Sequence, residues 1–196
     1  MVDRVLKGLV LAGGKSRRMG HDKALLQRSG QSQLAFTVGL LEKHIGNVFV
    51  STRAEQSADN ERSKYSQIVD AYNDLGPIAG ILSALEADPK ADWLVVACDL
   101  PNVDDVTIRH LIDNHDQSRP FTAYVSSHDG LPEPLCAIYS YDCIDIVRAF
   151  VADDLRCPRK MLIRSDTQLL QQPNPNSLEN VNTPDDLSAS VLELRS

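Results

Sequence analysis

Short apolar runs and stretches of helical spacing take turns along most of the chain. That is the order expected of a sheet with helices packed on it. Residues 5–11 (VLKGLVL) form a strongly apolar run that ends at glycines and reads as a buried strand. Residues 48–51 and 67–69 are the next strand candidates. Residues 93–97 (WLVVA) are the most hydrophobic run, which predicts a central parallel strand. Residues 122–125 and 135–139 follow, the second bounded by Pro132 and Pro134, with His128-Asp129-Gly130 between them resembling a hairpin turn. Helical spacing appears in Leu34, Val38, Leu41 and Ile45, and again in Ile78, Ile81, Leu82 and Leu85 behind Pro77, a good first-turn residue. Val106, Ile108, Leu111 and Ile112 follow Asp104, a plausible N-cap, and Ile144, Val147 and Val151 mark a further helix. Thr183-Pro184 opens a last predicted helix with Leu187, Val191 and Leu194 on its buried face. The polar segments 54–66 and 171–177 read as loops, since composition does not shift across them. These patterns predict one α/β domain over residues 1–196: a three-layer α/β/α sandwich with a Rossmann-like, mostly parallel sheet.

Composition narrows the classes. A net charge of −7 argues against a general nucleic-acid binder, which needs Lys and Arg to neutralise phosphates, and against a surface for anionic lipid. No apolar run approaches the ~18 residues of a membrane span, and the charged first ten residues do not read as a signal peptide. The cysteines (Cys98, Cys136, Cys143, Cys157) contain no C-x-x-C pair, which reads as reduced thiols in a cytoplasmic protein.

The charge is unevenly spread. Residues 4–28 carry seven basic side chains and one acid, Asp22. Within them, the strand at 5–11 runs into Gly13-Gly14, followed by Lys15, Arg17, Arg18 and Lys23. Glycines let a ligand approach the backbone and offer N–H groups to anionic oxygens, while the cations add charge where phosphate oxygens would lie. A solvated basic loop is the plain alternative. The site is favoured because open α/β sheets bind ligands at the carboxyl ends of their strands. Two phosphate motifs fail. A Walker loop ending at Gly14-Lys15-Ser16 needs glycine at position 9, which is Leu9, and G-x-G-x-x-G fails at Lys15 and Ser16.

The run from Leu11 to Gly20, followed by Lys23, resembles the signature of small nucleotidyltransferases with a glycosyltransferase-A-like fold, L-A-G/A-G-x-S-x-R-M-G then Lys. Further pieces resemble the family in order: Asp70 at a strand end, Gly76-Pro77-Ile78-Ala79-Gly80, Cys98-Asp99-Leu100-Pro101, and Asn180 to Leu187 (NVNTPDDL). The combination is similar to the molybdenum cofactor guanylyltransferase branch. The resemblance implies a nucleotide-diphospho-sugar transferase-like fold and Mg²⁺-dependent transfer of GMP from GTP to molybdopterin-type cofactor, with release of pyrophosphate. It implies transient contacts with proteins that deliver or accept the cofactor. CTP, or another small phosphorylated acceptor, remains an alternative; so does a catalytically silent nucleotide-binding module.

On this resemblance, Leu11, Ala12, Gly13, Gly14, Lys23, Asp70, Gly76, Gly80 and Asp99 bind nucleotide. Lys23, Asp99 and Arg18 are catalytic, with Asp99 on the metal and Arg18 facing the leaving pyrophosphate. A carboxylate past the strand at 93–97 is a hard oxygen ligand suited to Mg²⁺; a turn aspartate before Pro101 is the other reading of Asp99. Asn182, Arg159 and Lys160 are acceptor-side candidates, and each also fits a turn or a solvated helix face. Cys98 reads as a small buried residue rather than a nucleophile. Two positions depart from the family. Ser51-Thr52-Arg53 replaces an S-A-N-R-like run, and Glu133-Pro134-Leu135 places an acid where an anionic pterin would approach.

Overall fold

The computed structural model describes residues 4–14 and 22–180. The helix expected from Thr183, together with Arg18 and Asn182, lies outside the described residues. In chain order the elements are β1 (Val5–Leu11), the two-residue strands β2 (Gln27–Arg28) and β3 (Gln31–Ser32), α1 (Gln33–Glu42), β4 (Val48–Thr52), β5 (Gln67–Val69), α2 (Pro77–Ala87), β6 (Ala91–Ala97), α3 (Asp105–Asp113), β7 (Phe121–Val125), β8 (Pro132–Tyr139), α4 (Ile144–Ala152), α5 (Pro158–Arg164) and β9 (Thr167–Leu170).

The main sheet has the order β5-β4-β1-β6-β8-β7-β9. The pairs β5–β4, β4–β1, β1–β6 and β7–β9 are parallel, and among the described strands of this sheet only β8 runs against its neighbours. Side chains alternate across the sheet as a period of two requires. Val10, Leu94, Val96, Ile138 and Tyr124 face one side, where Leu34, Val38 and Leu41 of α1 and Ile108 and Leu111 of α3 cover them. Leu9, Trp93, Val95, Ala137 and Tyr139 face the other, under Ile78, Ile81, Leu82 and Leu85 of α2, Val147 of α4 and Met161 and Leu162 of α5. Two cores back to back on one sheet make the three-layer sandwich that the pattern predicts.

β6 is the centre, buried at all seven positions. It starts two residues before the predicted run because Asp92 interrupts the apolar pattern. That carboxylate accepts from the Tyr141 N–H at 2.8 Å and lies 3.5 Å from His115 Nε2, which offsets its burial. β6 is parallel to β1 but antiparallel to β8, a difference that hydrophobicity does not encode. β8 also extends through both prolines that were expected to bound it. Pro132 and Pro134 lie beyond the stretch paired with β6, and the β7–β8 register shifts between Ala123 and Tyr124, so neither proline breaks the central ladder. The hairpin at 126–131 forms as expected. Gly130 has φ +73° and its N–H donates to Ser126 O at 3.0 Å.

Local signals set the helix starts. Ser32 caps α1 through Ala35 N at 3.0 Å, and Asp104 caps α3 through Thr107 N at 2.8 Å. Pro77 takes the first turn of α2 behind Gly76, whose φ of +58° suits glycine. No helix among the described residues is long and apolar enough to cross a membrane.

Candidate active site

The carboxyl ends of β1, β4, β5 and β6 open into one cavity of about 640 Å³. Its wall includes Leu11, Ala12, Gly13 and Gly14 at the end of β1, Asp70 past β5, Gly76 and Gly80 at the start of α2, Asp99 past β6, and Lys23. All nine expected nucleotide-binding residues therefore meet at one place, drawn together by parallel strands that end at the same level.

Two glycines make room. A Cβ on Gly80 would lie 2.3 Å from Ser51 Oγ and 2.9 Å from Leu11 Cδ2, so only glycine lets α2 settle against β1 and β4. A Cβ on Gly13 would lie 3.1 Å from Asp70 Oδ2, which makes the strand end and this carboxylate close neighbours.

The charged groups are arranged in pairs. Lys23 Nζ lies 3.1 Å from Asp99 Oδ2. The other oxygen, Asp99 Oδ1, is buried and has no hydrogen-bond partner among the described residues. Asp70 accepts from Ser51 Oγ at 2.7 Å. Burial raises the Asp70 carboxyl above its ordinary range, an effect partly opposed by the Ser51 hydroxyl and by the nearby Arg53 charge. Arg53 donates from Nε to Gly13 O at 2.7 Å and pairs with Glu55. Among the described lining residues, five are acidic (Asp22, Glu55, Asp70, Asp74, Asp99) and two are cationic (Lys23, Arg53).

Arg159 and Lys160 stand apart from the cavity wall, on α5. Arg159 holds Asp129 at 2.8 Å and Glu133 at 3.0 Å. The acid that looked hostile to an anionic acceptor is thus paired, and the cation expected to attract that acceptor is the partner. Several lining residues escaped the motif reading. Asp22 lay inside the basic segment, next to a recognised lysine. Ser51 and Arg53 stand out in the sequence only as a departure from the family run. Tyr72 had no signal beyond its place near Asp70. Cys98 is buried, and burial pushes its thiol up to about 12, which suits a packing role.

Residues 8–169 match the family model described as MobA-like NTP transferase domain. The chain belongs to this family. The MobA-like domain is a nucleotidyltransferase, so the cavity is the candidate active site of an enzyme of that kind. The chain is 37% identical over 181 residues to a molybdenum cofactor biosynthesis bifunctional protein from Synechocystis sp., covering 92% of this chain and 52% of that protein. It therefore spans about half the length of that relative. It is 30% identical to a probable molybdenum cofactor guanylyltransferase from Nostoc sp., covering 93% of this chain and 89% of the relative. Among solved structures, molybdopterin-guanine dinucleotide biosynthesis protein A from Archaeoglobus fulgidus superposes with a TM-score of 0.78 at 26% identity, covering 93% and 95% of the two chains. The MobA-like fold is thus the nucleotide-diphospho-sugar transferase-like sandwich expected above.

Proposed function

We propose that this enzyme transfers GMP from GTP to a molybdopterin-type cofactor, forming the guanine dinucleotide cofactor and pyrophosphate. The observation that carries the reading is the Lys23–Asp99 contact of 3.1 Å at the mouth of the glycine-lined strand end. It joins a cation suited to a triphosphate to a carboxylate suited to a metal, at one wall of a nucleotide-sized cavity. The guanine and the acceptor come from the relatives, among them a probable molybdenum cofactor guanylyltransferase and a molybdopterin-guanine dinucleotide biosynthesis protein.

The chemistry asks mainly for positioning and charge control, because two anions must meet. The backbone at residues 11–14 would cradle the nucleotide, and Asp70 and Gly13 would bound its position. Lys23 would neutralise the triphosphate as a terminal phosphate oxygen of the acceptor attacks the α-phosphorus. A new P–O bond forms there, the bond to the bridging oxygen of the β-phosphate breaks, and pyrophosphate leaves with the electron pair. Arg18 is assigned to that leaving group, and Asn182, Arg159 and Lys160 to the acceptor side.

Mg²⁺ fits the residues present. Among the described residues, Asp99 Oδ1 is buried without a hydrogen-bond partner and the lining carboxylates outnumber the lining cations. Among the described residues no cluster of three or more His, Cys, Asp or Glu could enclose a metal. Magnesium does not need such a cage, since it is held by one or two carboxylates together with waters and substrate phosphates. Asp99 would hold it, and bound there it would withdraw charge from the phosphate oxygens.

The test combines purified protein, Mg²⁺, each labelled nucleoside triphosphate and molybdopterin cofactor, with pyrophosphate and dinucleotide as readouts. GTP is expected to give both products. Preference for CTP would overturn the guanine assignment, and no product from any nucleotide would overturn the acceptor. Lys23→Ala and Asp99→Ala should each lose most activity while folded; full activity in either refutes its role.

A further inference from the structure

Arg62 lies in the segment 54–66, which reads as an ordinary polar loop, yet it is 1% exposed. An arginine buried this deeply must spend its donors on fixed acceptors. Its Nε and Nη2 both reach Ala12 O, at 3.3 and 2.8 Å, and Nη2 also donates to Asp22 Oδ2 at 2.7 Å. Asp59 Oδ1 lies 3.6 Å from Nη1 and accepts the backbone N–H groups of Glu61 and Arg62 at 2.9 and 3.1 Å. The turn that carries Arg62 is itself anchored, because Glu61 accepts from Ser32 Oγ at the cap of α1, at 2.6 Å.

Ala12 and Asp22 are the two ends of the glycine-rich basic segment. Nine residues, 13–21, lie between them in the sequence, and one guanidinium joins the two ends. Asp22 Oδ1 in turn accepts from Ala24 N at 3.1 Å and caps the short turn Lys23–Leu25. Arg62 is therefore connected through Asp22 to the backbone that carries Lys23, and through Ala12 to the strand end.

We propose that Arg62 is a positioning residue for the nucleotide. It holds Ala12 and Asp22 together and thereby sets Lys23 and the 11–14 backbone to receive a triphosphate. The inference rests on the reading of the cavity as a nucleotide site. A planar donor group that holds both the β1 end and the residue before Lys23 fixes their relative position before any ligand arrives, so less of that ordering is left to binding. Arg62 does not line the cavity, so it acts through Asp22 and Ala12 rather than on the ligand.

The test uses Arg62→Lys, which keeps the charge but cannot hold Ala12 and Asp22 with the same planar fork. Asp22→Asn keeps the cap acceptor and removes the charged partner. Labelled GTP with Mg²⁺ is titrated by equilibrium dialysis, and folding is checked by thermal melting and near-ultraviolet circular dichroism. Arg62→Lys is expected to weaken binding at least tenfold per folded molecule, and the double variant to be no weaker than the worse single one. In turnover, KM for GTP should rise more than kcat falls. An unchanged dissociation constant in folded Arg62→Lys, with Lys23→Ala weakened alongside it, would overturn the role. Additive losses in the folded double variant would overturn it too; if Arg62→Lys does not fold, unchanged binding in Asp22→Asn does so. Wild-type protein that binds no nucleoside triphosphate would refute the nucleotide site itself, and the positioning role with it.

Discussion

Gly80 offers the sharpest test of how the sheet and α2 share the site. Replacing it with alanine adds one methyl group, which would lie 2.3 Å from Ser51 Oγ, 2.9 Å from Leu11 Cδ2 and 3.0 Å from Ser51 Cβ. Ser51 has no easy retreat. Ser51 is 2% exposed and its hydroxyl is committed to Asp70 at 2.7 Å. Overpacking a core position costs about 1–3 kcal/mol. Displacing Ser51 would also remove a hydrogen bond to a charged group, worth about 1.5–3 kcal/mol. Alanine recovers at most about 1 kcal/mol of helix propensity. Gly80→Ala should therefore lose about 3 kcal/mol, which at this chain length lowers the melting temperature by roughly 6–12 °C. Gly39 supplies the control. It sits in α1, where an added Cβ meets nothing within 4 Å, so Gly39→Ala should gain about 0.5–1 kcal/mol. Calorimetry or circular-dichroism melting of both variants decides the matter. A Gly80→Ala protein that melts with or above the wild type would show that α2 can slide, and the close approach would then not constrain the site.

Other expectations follow from charge and burial. Asp70 has its pKa raised by burial, so the folded state holds a proton more tightly than the unfolded state. Ionised Asp70 then costs stability, and the cost grows as pH rises from the unfolded carboxyl range through the raised folded value. Asp70→Asn should accordingly stabilise the protein at neutral pH, with the gain vanishing below about pH 4, while weakening nucleotide binding; urea titrations across pH would expose the reasoning as wrong if the gain persisted in acid. Cys98, Cys136 and Cys143 are buried and have raised pKa values, about 12 for the first two, whereas Cys157 is exposed. A chromogenic disulfide reagent should titrate one thiol in the native protein and four in denaturant; rapid reaction of a second native thiol would contradict the buried placement. Arg159→Ala leaves Glu133, with a side chain only 15% exposed, without its cation. Activity with an anionic acceptor should fall through added repulsion, and Arg159→Ala/Glu133→Gln should recover part of it; no recovery would separate the pair from the acceptor site.

The parallel half of the fold was legible because its strands are apolar runs that stop at chemistry-bearing residues. β1 stops at Gly13-Gly14, β5 at Asp70 and β6 at Cys98-Asp99. The rest was hidden for identifiable reasons. β9 is an edge strand of four residues, TQLL, with no fully buried position, and so carries no apolar run. α5 has seven residues and buries only Pro158, Met161 and Leu162, too short a stretch to display a helical period. β2 and β3 are two residues each. Strand direction was invisible at β8, since a buried strand is equally apolar either way. Arg62 was the hardest to see. Its significance comes from contacts 40 and 50 positions away, and nothing in its neighbours marks a buried cation.

The reversal of β8, alone among the described strands of the main sheet, shapes how such a chain can vary. Because β8 runs against β6 and β7, the 126–131 hairpin emerges at the same end of the sheet as Asp99, although it belongs to the other half of the chain. Its residues hydrogen-bond to one another, to the half-buried Arg159 and to Pro175 O, not into either core. Surface hairpins of this kind absorb insertions and deletions at little thermodynamic cost. The fold thus separates a part that must stay fixed, the convergent ends of the parallel strands, from a rim whose length and sequence are free to drift. Divergence among relatives can concentrate beside the reacting end of the sheet without disturbing the scaffold beneath it.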